Sequence, residues 1–215
     1  MPLSLSTLAS RLADRLTHPL PGAEAQLTMA PRYSARRGDL SVADRDCREA
    51  GVLVLLLPHD DDPMVVLTVR REHLPDHAGQ ISFPGGQREH DEELPATALR
   101  EAHEEIALPP EHVQLLGELT PLYIPPSNFC VHPFVGTATS PPVLRPTDEE
   151  VEQVLQVPLS HLLDPATRTH ETRHLSGQDV EVPYYDVAGH IVWGATAMML
   201  AEFLAVAQEA TEADA

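Results

Sequence analysis

Arg100-Glu101-Ala102-His103-Glu104-Glu105 sets three carboxylates and a guanidinium within six positions. Residues 94 to 108 read as a helix, with Pro95 in the first turn and Pro109-Pro110 stopping it. Helical spacing makes Glu101 and Glu105 neighbours on one face with Glu104 beside them, while Ala98, Leu99, Ala102 and Ile106 turn towards a core. Like charges so placed repel, by about 0.2 to 0.5 kcal/mol for each pair in an isolated helix. A divalent cation reverses the sign of that interaction, and oxygen donors suit Mg²⁺ or Mn²⁺. The plain alternative is a solvated acidic face in which Arg100 pairs with Glu104.

The residues upstream favour the metal. Phe83-Pro84-Gly85-Gly86 follows two apolar runs and precedes the helix by a short polar loop. Glycines there let backbone come close to an ion or a phosphate. Glu92, in the loop, could reach the same ion.

The stretch from Gly86 to Leu108 resembles the box motif of the Nudix hydrolases. Gly86 matches its first glycine, Glu92 its first glutamate, and Arg100, Glu101, Glu104 and Glu105 its charged core; Ala102 and Leu108 take its apolar places. Ala107 stands where the family has glycine, and would be strained if that position requires positive φ. The resemblance implies a Nudix-type α/β/α sandwich with a mixed β-sheet, and hydrolysis of a nucleoside diphosphate linked to another group. It implies that Glu101 and Glu105 are the primary ligands of Mg²⁺ or Mn²⁺, joined by Glu104 and the Gly86 carbonyl, and that Arg100 orients the carboxylates. Glu104 alternatively holds the attacking water. Glu150 resembles a downstream acidic position that serves some members as general base; its other reading is an ordinary surface acid.

Leu67-Thr68-Val69-Arg70, Gly79 and Phe83-Pro84-Gly85-Gly86 resemble the coenzyme A pyrophosphatase subgroup. Val66 replaces a leucine of that signature, Arg71 a serine or alanine, and Pro75 its second arginine. Leu122-Tyr123-Ile124-Pro125-Pro126-Ser127-Asn128-Phe129 and Trp193-Gly194-Ala195-Thr196 are similar to it too. The implied substrate is coenzyme A or a derivative, gripped by Arg70, Arg71, Gly85 and Gly86, since guanidinium forks suit phosphates. The implied products are adenosine 3′,5′-bisphosphate and 4′-phosphopantetheine or its acyl form. Two alternatives stay open: a Nudix hydrolase for ADP-ribose or another nucleoside diphosphate derivative, and a silent Nudix-like nucleotide sensor. Phe129 and Trp193 are read as core or hinge residues rather than adenine stackers.

The scaffold is legible from hydropathy. Gly51–Leu57 and Met64–Val69 are apolar runs around Pro58-His59-Asp60-Asp61-Asp62-Pro63, a hairpin whose acidic turn is solvated. Residues 3 to 17 form an amphipathic helix and 23 to 49 an irregular stretch. Strands are expected at 113 to 119, 129 to 137 and 151 to 157, the last also readable as a short turn, and a helical turn at 160 to 164. A polar loop at 165 to 179, a hairpin around Ala188-Gly189 and a helix from 196 to 208 follow. The expected division is an extension at 1–49, the hydrolase domain at 50–208 and an acidic tail at 209–215.

The 215 residues carry a net charge of −19, and every one of the 14 basic residues is arginine. Such a surface repels nucleic acid, so the expected partner is a small-molecule substrate. No apolar run is long enough for a membrane span, and no membrane partner is expected. The oligomeric state, monomer or homodimer, stays open. Two cysteines, Cys47 and Cys130, make neither a disulfide framework nor a metal-site spacing, and the cytoplasm is the expected compartment.

Overall fold

The computed structural model describes residues 4–32, 39–60, 62–71, 79–138, 140–147, 150–175 and 177–212. Its centre is β1 (Arg48–Leu57), whose second half is almost fully buried. A strand with apolar side chains on both faces must be covered on both, and it is. Leu53, Leu55 and Leu57 enter one cluster with Ala98, Ala102 and Ile106 of α3 (Leu94–Ile106). Val54 and Leu56 enter another with Leu200, Phe203 and Val206 of α5 (Gly194–Glu212). The result is the expected α/β/α arrangement.

Pairing along β1 creates the place for the site. It runs parallel to β7 (Phe129–Ala138), from Arg48 opposite Phe129 to Leu56 opposite Thr137. Its far end meets β2 (Met64–Arg70) antiparallel, through Leu56–Val65 and Leu57–Met64. The expected hairpin therefore opens. Beside the first half of β1 runs β4 (Gly85–Gln87), pairing with Ala50, Gly51 and Val52. Short β3 (Ile81–Ser82) and β8 (Val151–Pro158) flank β2, while β5 (Val113–Glu118) and β6 (Leu122–Ile124) pair with β7. Parallel and antiparallel pairs coexist, as a mixed sheet requires.

The amphipathic N-terminal helix is α1 (Leu5–Arg15), with Leu8 and Leu12 buried and Ser4 capping Thr7 N–H. The stretch read as irregular holds α2 (Gly22–Gln26) and a 3₁₀ turn, Leu27–Met29. What seats it is Glu202 of α5, fully buried, which accepts from Gly22 N, Gln26 Nε2 and Thr120 N at 3.1, 2.8 and 3.2 Å. The helical turn expected near 160 is α4 (Leu159–Leu163).

The loop expected at 165–179 is corrected. After a 3₁₀ turn at Pro165–Thr167, β9 (Arg168–Leu175) pairs along its whole length with β10 (Gln178–Val187). The sequence hid it because β9 is a polar edge strand whose residues are exposed or half-buried, so no apolar alternation marks it. The hairpin at Ala188-Gly189 stands: both residues have positive φ, and β11 (His190–Trp193) pairs back on β10.

The cysteine reading is also corrected. Cys47 and Cys130 are joined by a disulfide with Cα atoms 5.8 Å apart. They lie 83 residues apart in sequence, and only the parallel pairing of β1 with β7 brings them together. Among the described residues no helix is long and apolar enough to cross a membrane.

Candidate active site

The box is a strand, a loop and a helix wrapped around Arg100. Gly51 carries α3 close to β1: a Cβ there would stand 2.6 Å from the Leu94 carbonyl. Across the pairing, a Cβ on Gly86 would stand 2.5 Å from the Glu101 carboxyl carbon. Glycine at 86 thus leaves the space in which the Glu101 carboxylate lies beside the β4 backbone.

Arg100 binds three carboxylates. It grips Glu92 through Nη2 to Oε1 at 2.8 Å and Nε to Oε2 at 3.2 Å. Its Nη1 donates to Glu101 Oε1 at 2.9 Å and Glu104 Oε2 at 3.1 Å, and Nη2 also reaches the Gln87 carbonyl at 3.2 Å. The two-pronged bond from Arg100 holds the Glu92 carboxyl down to about 2, against a partial opposing effect of burial. Burial pushes the Glu101 carboxyl up, the Arg100 bonds offset part of that, and the charges of Glu104 and Glu89 add to the rise. Glu105 is 8% exposed and accepts from Gly85 N at 3.1 Å, whereas Glu104 is exposed.

The acidic face predicted from helical spacing is therefore built, with graded exposure: Glu105 buried, Glu101 half-buried, Glu104 open. Glu92 was read from the sequence as a residue that could reach the ion. It serves as the partner of Arg100, an interaction spanning a loop of eight positions that no helical period could reveal. Arg88 fixes that loop, donating to the Glu92 carbonyl at 2.6 Å and to Glu49 at 2.5 Å.

No three acidic, histidine or cysteine side chains among the described residues converge as an ion-binding group in these rotamers. Arg100 and the Gly85 N–H engage the carboxylates instead. The donor set still fits a hard divalent cation. It is all oxygen, it includes a half-buried carboxylate pressed by like charges, and the glycine beside it leaves room for backbone to contribute.

The other candidates sit at the end of β2. Arg70 pairs with Glu150 at 2.6 Å. Arg71 donates its backbone N–H to the Glu150 carbonyl at 2.8 Å, and its buried side-chain Nε has no hydrogen-bond partner among the described residues. Pro75 and His77, with Asp61, Asp148 and Glu149, lie outside the described residues. Phe129 and Trp193 are half-buried, each under a guanidinium, Arg48 and Arg173 at 4.1 and 4.4 Å. Both rings thus have partners of their own.

The last helical residues end in strain. Ala107 adopts φ 57°, ψ 30°, the left-handed conformation for which the family uses glycine. The carbonyls of Glu105 and Ile106, free at the helix end, accept from Thr147 N and Arg145 N, both at 3.1 Å.

A glycine-edged strand, a short loop and an acidic helix thus stand together on a mixed sheet. The NUDIX domain model matches residues 48–176, more than half of the chain, and the chain belongs to the Nudix hydrolase family. It is similar to "Uncharacterized Nudix hydrolase NudL" of Photorhabdus laumondii, 36% identical over 71% of this chain and 81% of that one. The protein of the same name in Yersinia pestis is 34% identical over 89% of this chain and 90% of its own. Among solved structures it resembles the Nudix hydrolase RenU of M. smegmatis, with TM-score 0.47, 20% identity and coverage of 60% and 84%. Nudix hydrolases are enzymes that act on small molecules and generally use divalent metals such as Mg²⁺ or Mn²⁺.

Proposed function

We propose that this enzyme hydrolyses the pyrophosphate bond of coenzyme A or its derivatives, releasing adenosine 3′,5′-bisphosphate and 4′-phosphopantetheine or its acyl form. The observation that carries the reading is the run from Arg70 through Gly79 to Phe83-Pro84-Gly85-Gly86, continuous with the box. Arg71 adds to it: a buried guanidinium nitrogen without an acceptor is a donor that a phosphate oxygen would satisfy.

In this proposal Glu101, Glu105 and the Gly86 carbonyl hold Mg²⁺ or Mn²⁺, with Glu104 as a further ligand. Bound there, the cation neutralises pyrophosphate oxygens and lowers the pKa of the attacking water. Arg100 keeps Glu101 and Glu104 in place by its two short bonds. Exposed Glu104 can take the proton from the water. Glu150 is the alternative base; its bond to Arg70 must then loosen in the substrate complex. The Gly85–Gly86 backbone lets the pyrophosphate approach.

A second reading, ADP-ribose or another nucleoside diphosphate derivative, is favoured by Pro75 in place of the signature's second arginine. Initial rates with Mg²⁺ and with Mn²⁺ on coenzyme A, ADP-ribose, NADH, diadenosine polyphosphates and nucleoside triphosphates separate the two. Coenzyme A is expected to give the highest kcat/KM. A clear preference for another substrate, with coenzyme A inert, rejects the proposal and leaves the family intact. Glu105→Gln is expected to lower kcat by at least about 100-fold, since it removes a transition-state charge ligand; unchanged turnover would reject the ligand assignment.

A further inference from the structure

The molecule has a second concavity that uses no residue of the box. A cleft of about 570 Å³ opens between the Ala25–Arg32 stretch, the α4 region, the β9–β10 pair and α5. That size falls in the range of small-molecule sites, roughly 300 to 1,000 Å³. Its floor is apolar, with Leu162, Ala201 and Leu204 all buried.

Two features mark the cleft as more than a crease. Tyr185 lines it and is only 5% exposed. No hydrogen bond to its hydroxyl is present among the described residues, and that oxygen is not one of the fully buried polar atoms, so the hydroxyl is open to the cleft. Burial pushes the phenol's pKa up, so it stays a donor. Arg168, at the rim, gives one bond to the Thr28 carbonyl at 2.9 Å and has no carboxylate partner among the described residues. Of the other charged groups on the wall, Arg32 is paired with the Glu181 carboxylate at 2.5 Å, and Asp164 caps a short turn, its Oδ1 accepting from the Ala166 N–H at 2.9 Å. One uncompensated guanidinium, one unused phenolic donor and an apolar floor occur together on a chain of net charge −19.

We propose that this cleft binds a small organic monoanion: a carboxylate held between Arg168 and the Tyr185 hydroxyl, with an apolar chain along Leu162, Ala201 and Leu204. A monoanion follows from the single free guanidinium; an apolar body follows from the floor. The cleft's walls include nothing from β4, the box loop or α3. The proposal therefore does not depend on which pyrophosphate the enzyme cleaves.

Calorimetric titration of the full chain with octanoate, octanol and octylamine tests it. Octanoate is expected to bind, octanol at least about tenfold more weakly, and octylamine not at all. Arg168→Ala should weaken octanoate about tenfold or more and Tyr185→Phe severalfold, because each removes one bond to a charged group. Both variants should melt like the parent without ligand, since Arg168 is exposed and phenylalanine keeps the ring. Several outcomes overturn the proposal: no heat with octanoate at millimolar concentration, equal affinity for octanol, or octanoate affinity unchanged in Arg168→Ala. A chain that sediments as a dimer and excludes octanoate would also overturn it, giving the cleft to a second copy.

Discussion

Gly86→Ala separates the chemistry of the site from its folding. A Cβ at 86 would stand 2.5 Å from the Glu101 carboxyl carbon and 2.6 Å from both of its oxygens, where ordinary contact begins at 3.4 Å. Something must move by about 0.9 Å, the shortfall in that contact. What moves is the far end of a flexible side chain, so the backbone need not. The contrast is Gly85, with φ +151°, where an added Cβ would meet the Gly51 carbonyl and Val52 Cα at 2.5 Å, both backbone. A displacement of about 1 Å in a catalytic group can lower the rate by about 100-fold. Gly86→Ala is therefore expected to lose about two orders of magnitude in kcat/KM while its melting temperature stays within about 2 °C of the parent's. Gly85→Ala should lose stability as well as activity. Steady-state kinetics on the best substrate of the panel, with circular-dichroism melts of the same preparations, give both numbers. If Gly86→Ala keeps activity within threefold, the Glu101 carboxylate is not held where the reaction needs it. If it unfolds, movement of the Glu101 side chain alone does not accommodate the added methyl.

Three further outcomes follow from single residues. Ala107→Gly should stabilise the protein by about 0.5 to 1 kcal/mol: the left-handed conformation costs alanine about 1 to 2 kcal/mol, and the floppier unfolded chain takes back part of it; a lower melting temperature would contradict this. Glu92→Gln should cost about 1.5 to 3 kcal/mol at pH 7 by removing the charged partner of Arg100. Because the Glu92 carboxyl falls from 4.5 to about 2 on folding, its contribution is complete above pH 4.5 and fades as pH drops towards 2. Urea curves of the two proteins should accordingly converge in acid, and a gap that stays constant with pH rejects the ion-pair account. Glu202→Ala should cost about 3 kcal/mol in urea unfolding, since the Gly22 and Thr120 N–H groups lose the carboxylate that accepts from them and Gln26 Nε2 keeps only the Thr120 carbonyl; a change under 1 kcal/mol would mean that water replaces the carboxylate.

Whatever depended on local period was legible in the sequence. Leu8 and Leu12 of α1, the doubly buried run of β1 and the two faces of α3 each follow from side-chain spacing alone. So did the Ala107 strain, because a glycine missing from a fixed motif position points to a backbone angle. Features decided by long-range contact stayed hidden. Strand β9 is polar and takes its shape from β10. Cys47 meets Cys130 only through a parallel pairing across 83 residues. Glu92 was read as a candidate for the ion, yet the loop folds it back on Arg100.

The same distinction separates the two halves of the function. The acidic face needs only a helix, and a helix is a local object; its carboxylates are grouped by the 3.6-residue period before any tertiary contact forms. Arg100 can then bind two of them, Glu101 and Glu104, together with Glu92, because β4 presents the Gln87 carbonyl and the loop returns Glu92 to the same guanidinium. Hydrolytic chemistry is thus written mostly into contiguous residues. The proposed substrate grip is not: Arg70 is held by Glu150, 80 positions away, while the buried Nε of its neighbour Arg71 has no acceptor among the described residues. Among the described residues the two adjacent arginines therefore differ, Arg70 being paired with a carboxylate and Arg71 keeping a buried nitrogen without an acceptor. On the proposed reading Arg71 is the better place for a substrate phosphate, although in the subgroup's signature its position belongs to serine or alanine. Arg71→Ala should then raise KM for the preferred substrate more than it lowers kcat, whereas Arg70→Ala should chiefly free Glu150; equal effects of the two on KM would show that the pairing seen here does not distinguish them.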